Sequence, residues 1–215
     1  MTDKSSDQTR RTPLSMHIFA VATLAVAAAA VANAQDRGGA ATATPRSIEA
    51  EAVLQVPAID YRKEWVQLGT FSVLSDKPAD GAKQIHVVYT ARQNVEAYLK
   101  TGRFPDGAVL VKDIFAGRTE PLTTGTSSYA GDLAARFVMV KDGGGRLGGG
   151  PRFGDGWGWA SYEGTEMKRT VTTNYKNDCL ACHEPVRGQD LLYIQGYPLL
   201  RASGISAVKE RVKVD

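Results

Sequence analysis

The stretch AVLVKDIFA, residues 108–116, decides the fold and poses the main question about function. Its apolar residues recur with a two-residue period, which is a strand pattern. Alternation places Ala108, Leu110, Lys112, Ile114 and Ala116 on one face. A charged amine among four apolar neighbours has two readings. On an edge strand, lysine discourages edge-to-edge aggregation. On a buried face, desolvation lowers the lysine pKa and frees the nitrogen lone pair for chemistry. The strand alone leaves both open.

Around it, WVQLGTFSV (65–73), QIHVVYT (84–90), DLAARFVMVKD (132–142) and WGWASYE (157–163) also read as strands. The last carries both of its tryptophans on one face. KPADG is turn-like and precedes the second of these strands. RQNVEAYLKTG sets Val95, Tyr98 and Leu99 at helical spacing and stops at Gly102. GGGRLGGGPRFGDG (143–156) has no Gly-Lys-Ser or Gly-Lys-Thr, so it reads as a long hairpin connection and not as a phosphate cradle. The last third turns helical around the cysteines and again near 189–203, interrupted by Pro185, Gly196 and Pro198. No internal repeat is present. The fold class expected is α+β, a mainly antiparallel β sheet with flanking helices.

The chain of 215 residues is 43% hydrophobic and 23% charged, ordinary values for a globular protein. Lys4, Arg10 and Arg11 precede the apolar run FAVATLAVAAAAV, which is shorter than the ~20 residues of a spanning helix. The small residues ANA follow. Residues 1–34 therefore read as a signal peptide cleaved after Ala34, which predicts an exported, periplasmic protein with no membrane segment after cleavage. Residues 35–56 read as a flexible leader ending in a short helix at 47–54, and the domain is placed at 57–215. The formal net charge of +3, without a basic cluster, argues against a nucleic-acid partner.

KNDCLACHEP, residues 176–185, holds both cysteines of the chain, Cys179 and Cys182, followed by His183. A disulfide between them would close a very small loop and constrain little. A redox pair usually opens a helix in a βαβ unit, and no such unit is seen. Structural zinc takes four protein ligands, and after removal of residues 1–34 only the distant His86 is left to join these three. Cys-x-x-Cys-His is the attachment signal for c-type haem. Residues three apart share one side of a helical turn. Two thiols there can add to two porphyrin vinyl groups, while His183 offers its imidazole to the iron. Asp178 is placed to cap the turn. The plain alternative is an incidental pair of thiols.

The sixth iron position separates electron carriers from catalysts and gas sensors. His86, on a face with Gln84, Val88 and Thr90, reads as a satisfied strand histidine, a distal acid–base group or an iron ligand. Met139 shares a face with Leu133, Ala135 and Phe137 and reads as core filler.

GRFPDGAVLVKDIF (102–115), CLACH (179–183) and QGYPLLRA (195–202), in this order and separation, resemble the cytochrome P460 family. YRKEWVQLGTF (61–71) resembles its first strand, and the likeness covers residues 58–203. The resemblance implies a homodimer and a five-coordinate haem c with His183 proximal to iron. It implies that Lys112 is bonded through nitrogen to the porphyrin edge. It also implies oxidation of hydroxylamine, a small nitrogen substrate, with nitric oxide and nitrous oxide chemistry and an external electron acceptor such as a soluble cytochrome c. The related cytochromes c′-beta share the fold without the cross-link and bind nitric oxide or carbon monoxide as gas ligands. The catalytic residues expected are His86 and Lys112, with Cys179, Cys182, His183 and Lys112 holding the cofactor. Two departures stand out. His86 occupies the place of a family arginine. The stretch matching a distal carboxylate offers Arg136 and Phe137, with only Asp132 at its edge.

Overall fold

The computed structural model describes residues 51–201. The expected signal peptide, the leader as far as residue 50 and the tail from Ala202 lie outside the described residues.

Six strands form one sheet in the order β1-β2-β3-β4-β6-β5, with every neighbouring pair antiparallel. They are β1 Val66–Leu74, β2 Ala82–Thr90, β3 Val109–Leu122, β4 Gly125–Lys141, β5 Phe153–Gly154 and β6 Trp157–Glu163. With short helical segments around this sheet, the fold is α+β. β3 pairs with β2 on one side and β4 on the other, so Lys112 lies on a central strand. That removes the edge-strand reading of this lysine.

β3 and β4 run well past the segments expected at 108–116 and 132–142. Residues 117–131 are largely exposed, and ladder bonds with a Thr119–Ser128 side-chain contact of 2.7 Å hold this arm of the hairpin. β4 and β6 pair across the glycine-rich segment, whose only regular piece is β5.

Short helix α1, Tyr61–Glu64, precedes β1. Helix α2, Arg92–Thr101, links β2 to β3 and buries Asn94, Val95 and Tyr98. Gly102 ends it at φ 73°, where its N–H reaches the Tyr98 carbonyl at 2.7 Å, an ending that favours glycine.

Apolar clusters pack on both faces of the sheet. One holds Val88, Leu110, Met139, Trp157 and Trp159 with Tyr98 of α2 and Leu192, Tyr197 and Leu200 of the C-terminal segment. The other holds Val111, Val138, Val140, Ala160 and Tyr162 with Leu54, Val56 and Tyr61. Residues 51–53 are helical, and Leu54 and Val56 are 1% and 5% exposed. The packed domain thus takes them in, ahead of the boundary at residue 57.

The second face also buries a polar knot. Asp113, fully buried, accepts from Tyr61 Oη at 2.8 Å and Arg62 Nε at 2.7 Å. Arg136 Nε donates to the same tyrosine oxygen at 3.1 Å and lies 3.6 Å from the Asp113 carboxylate. Burial, then Asp113, pushes the Tyr61 hydroxyl pKa up to about 12.

The C-terminal segment crosses β1 closely. A Cβ on Gly69 would lie 1.9 Å from the Gly196 carbonyl oxygen, and one on Gly196 would lie 2.0 Å from Phe71 Cζ. Two glycines therefore permit the approach that closes one wall of the site.

Candidate haem site

Between the first sheet face and the C-terminal segment lies a cavity of about 440 Å³, a size ordinary for small-molecule sites. The sheet supplies Phe71, His86, Val88, Leu110, Lys112, Phe137, Met139 and Trp159. The C-terminal segment supplies Cys179, Cys182, His183, Leu192, Tyr193 and Tyr197. Every site residue expected from the sequence therefore meets in one space, although Lys112 and His183 are 71 positions apart in the chain.

A wide helical turn, Lys176–Leu180, runs into Ala181–His183 and carries the Cys-x-x-Cys-His group. Asn174 Oδ1 accepts from the Lys176 N–H at 3.0 Å. Asp178 sits inside the turn and reaches back, accepting the Thr173 and Asn174 N–H groups at 2.7 and 3.0 Å. The sequence reading made Asp178 the cap at the turn's start. The structure instead has it close the turn from within, because Asn174 already holds the entering position.

Cys179 is buried and Cys182 exposed, and no disulfide joins them. Burial pushes the Cys179 thiol up to about 11. Among the described residues, no three His, Cys, Asp or Glu side chains gather into a metal-binding group.

The His183 ring is set by a backbone acceptor. Its Nδ1 lies 2.7 Å from the Leu191 carbonyl, so Nδ1–H donates and Nε2 keeps a free lone pair. Trp159 meets the ring edge-to-face at 4.9 Å. Burial lowers the imidazole pKa and favours this neutral, ligating form. The Tyr193 hydroxyl donates to the Cys182 carbonyl at 2.5 Å, tying the second cysteine to the covering segment.

Lys112 pairs in register with Val88 and Phe137, and its Nζ lies 4.5 Å above the Phe137 ring. Burial lowers its pKa, and the two thiols oppose that shift. Among the described residues no carboxylate lies within ion-pair distance of it. It stands apart from Asp113, which faces the other side of the same strand.

His86 Nε2 lies 2.9 Å from Gln84 Oε1. With the amide oxygen as acceptor, Nε2–H donates and Nδ1 stays basic. Burial, assisted by the Lys112 charge, brings its pKa down to about 4.

The stretch expected to supply distal groups is divided by strand alternation. Phe137 faces the cavity, whereas Arg136 points to the opposite face and joins the Asp113 knot. Asp132 is an exposed partner of Arg118 at 3.1 Å. Met139 is 8% exposed and packs in the core while its surface borders the cavity. Phe71, Trp159, Tyr193 and Tyr197 were not singled out as site residues. For Trp159 the one-faced tryptophan pattern was a usable signal; for Tyr193 and Tyr197 local pattern offered none.

The chemistry of this lining fits a porphyrin. Apolar side chains form most of the walls, one imidazole presents a free Nε2, two thiols lie three residues apart, and one desolvated amine projects from the sheet.

A comparison with curated proteins returns no match. The family model described as Cytochrome P460 matches residues 59–194, a span that takes in all six strands, the lysine strand and the Cys179–His183 turn. The motif, the cavity that gathers its residues and this match converge on one assignment: the chain belongs to the cytochrome P460 family, whose members carry haem.

Proposed function

We propose that this chain is an exported c-type haem enzyme that oxidises hydroxylamine within the cavity. The observation that carries the proposal is the convergence of Lys112, from a central strand, with Cys179, Cys182 and His183 on one apolar space. Cys179 and Cys182 would hold the group through their sulfurs, His183 through Nε2, and Lys112 through Nζ. Bound haem would supply an iron that acts as Lewis acid and electron acceptor.

The protein's residues then have separate tasks. The Leu191 carbonyl keeps His183 in the ligating tautomer. Phe71, Phe137 and Tyr197 line the cavity and exclude bulk water from it. Gln84 orients His86 so that Nδ1 is free to take a proton from the substrate. Bonding at Lys112 would remove the ammonium charge that helps depress His86, moving that imidazole toward a more useful basicity. Electrons leave to an external acceptor such as a soluble cytochrome c. Export to the periplasm rests on the pattern of residues 1–34, and a homodimer is the assembly proposed.

A second reading is a binder of nitric oxide or carbon monoxide of the c′-beta kind. It is favoured by the wall chemistry: Asp178 is the one carboxylate among the lining residues, and it is engaged in its own turn. Steady-state assays of the haem-loaded protein, with hydroxylamine and an artificial electron acceptor, separate the two. The enzyme reading expects acceptor reduction that His86→Leu slows by about 10²–10⁴-fold without loss of haem. Tight gas binding without turnover in the wild type would establish the second reading.

A further inference from the structure

Asp190 and Leu191 are consecutive non-glycine residues with positive φ, 60° and 62°. Such backbone is costly and persists only where its surroundings over-determine it. Here the surroundings do so. The Trp157 indole N–H donates to the Asp190 carbonyl at 3.1 Å. Lys141 Nζ lies 2.5 Å from Asp190 Oδ1 and 4.5 Å above the Trp157 ring. The Leu191 side chain is 2% exposed.

As a device for stability alone, the ion pair is poorly made. Asp190 Oδ2 is buried without a hydrogen-bond partner, so half of the carboxylate is desolvated with nothing in return. What the strained pair delivers is the next carbonyl. Leu191 C=O is the acceptor for His183 Nδ1–H. Lys141, Trp157 and Asp190 do not themselves line the cavity; Asp190 immediately precedes Leu191 in the chain.

We propose that Lys141, Asp190 and Trp157 form a positioning unit for His183. They hold the Leu191 carbonyl on Nδ1–H and thereby set the tautomer and donor strength of the imidazole toward iron. The inference rests on the reading of His183 as the iron ligand. A carbonyl acceptor on Nδ1–H raises the basicity of Nε2, and a stronger donor favours ferric over ferrous iron. Releasing the carbonyl weakens the donor and shifts the potential in the positive direction.

The test uses the haem-loaded protein and its variants Asp190→Asn, Trp157→Phe and Lys141→Arg. The readouts are the midpoint potential by spectroelectrochemistry and the iron–histidine stretch by resonance Raman. Asp190→Asn and Trp157→Phe are expected to change the ferric-to-ferrous preference by about tenfold, or ~59 mV for a one-electron couple, toward ferrous. Their iron–histidine frequency should fall. Lys141→Arg, which keeps the charge pair, should remain close to wild type. Potentials and frequencies unchanged in both variants, with only a lower unfolding midpoint, would show a merely structural unit and overturn the proposal. Should Asp190→Asn fail to mature, Trp157→Phe decides alone, because it leaves the ion pair intact. A separate control tests the underlying assignment: if His183→Ala keeps the wild-type axial-ligand spectrum, the reading of the site fails and takes this inference with it.

Discussion

Replacing Asp113 with alanine removes the acceptor at the centre of the knot behind the cavity. Three groups lose it, but not equally. The Arg62 side chain is 39% exposed and can turn to water. Arg136 is 10% exposed and cannot. It keeps only the Tyr61 hydroxyl and the Gly164 carbonyl, at 3.1 Å each, so its charge stays buried without a counter-ion. Breaking a buried pair in this way costs about 3–5 kcal/mol. That is a large part of the ~5–15 kcal/mol that holds a typical domain together, and corresponds to a fall in Tm of ~6–20 °C for a domain of this size. Urea unfolding followed by far-UV circular dichroism measures the change. The double variant Asp113→Leu/Arg136→Met, which removes both charges, should recover most of the loss. A single-variant cost below ~1 kcal/mol, or a double variant no more stable than the single, would refute the assignment of Arg136 as the stranded charge.

Gly69→Ala should destabilise the fold by about 1–3 kcal/mol, since its methyl would meet the Gly196 carbonyl at 1.9 Å; an unchanged urea midpoint would contradict that close approach. His86 predicts a pH dependence. Its folded pKa of about 4 lies below the ordinary 6.5, so the unfolded chain binds the extra proton between those values. Its contribution to stability is complete above pH 6.5 and is lost as pH falls toward 4. Unfolding free energies of the haem-free wild type and haem-free His86→Leu, compared at pH 4.5 and 7, should therefore show the larger acid-side loss in wild type.

Much of this arrangement is legible in the sequence because it rests on short-range rules. Alternation through residues 108–116 put Lys112 on the face with Leu110 that lines the cavity, and the spacing of Cys179, Cys182 and His183 put them on one turn. Asp113 was missed because its partners are 52 and 51 positions away in Tyr61 and Arg62, and 23 away in Arg136. With both sheet faces buried, alternation cannot identify which polar residue is enclosed. The arm at 117–131 was missed for the opposite reason. It is exposed, so its strands carry no apolar period, and backbone ladder bonds sustain them. The left-handed pair Asp190–Leu191 contains no glycine, so composition gives no sign of it; tertiary contacts from Trp157 and Lys141 impose it. The division of Arg136 from Phe137 follows from alternation, but only once the cavity face of β4 is known.

The most direct test of the central claim is mass spectrometry of the protein, expressed with haem-maturation machinery, exported, purified and digested. The account predicts one haem-bearing species that joins the peptide containing Cys179, Cys182 and His183 to the peptide containing Lys112. Haem on the cysteine peptide alone would remove Lys112 from the cofactor and favour the gas-binding reading. Both peptides recovered at their unmodified masses, from protein without iron, would contradict the account.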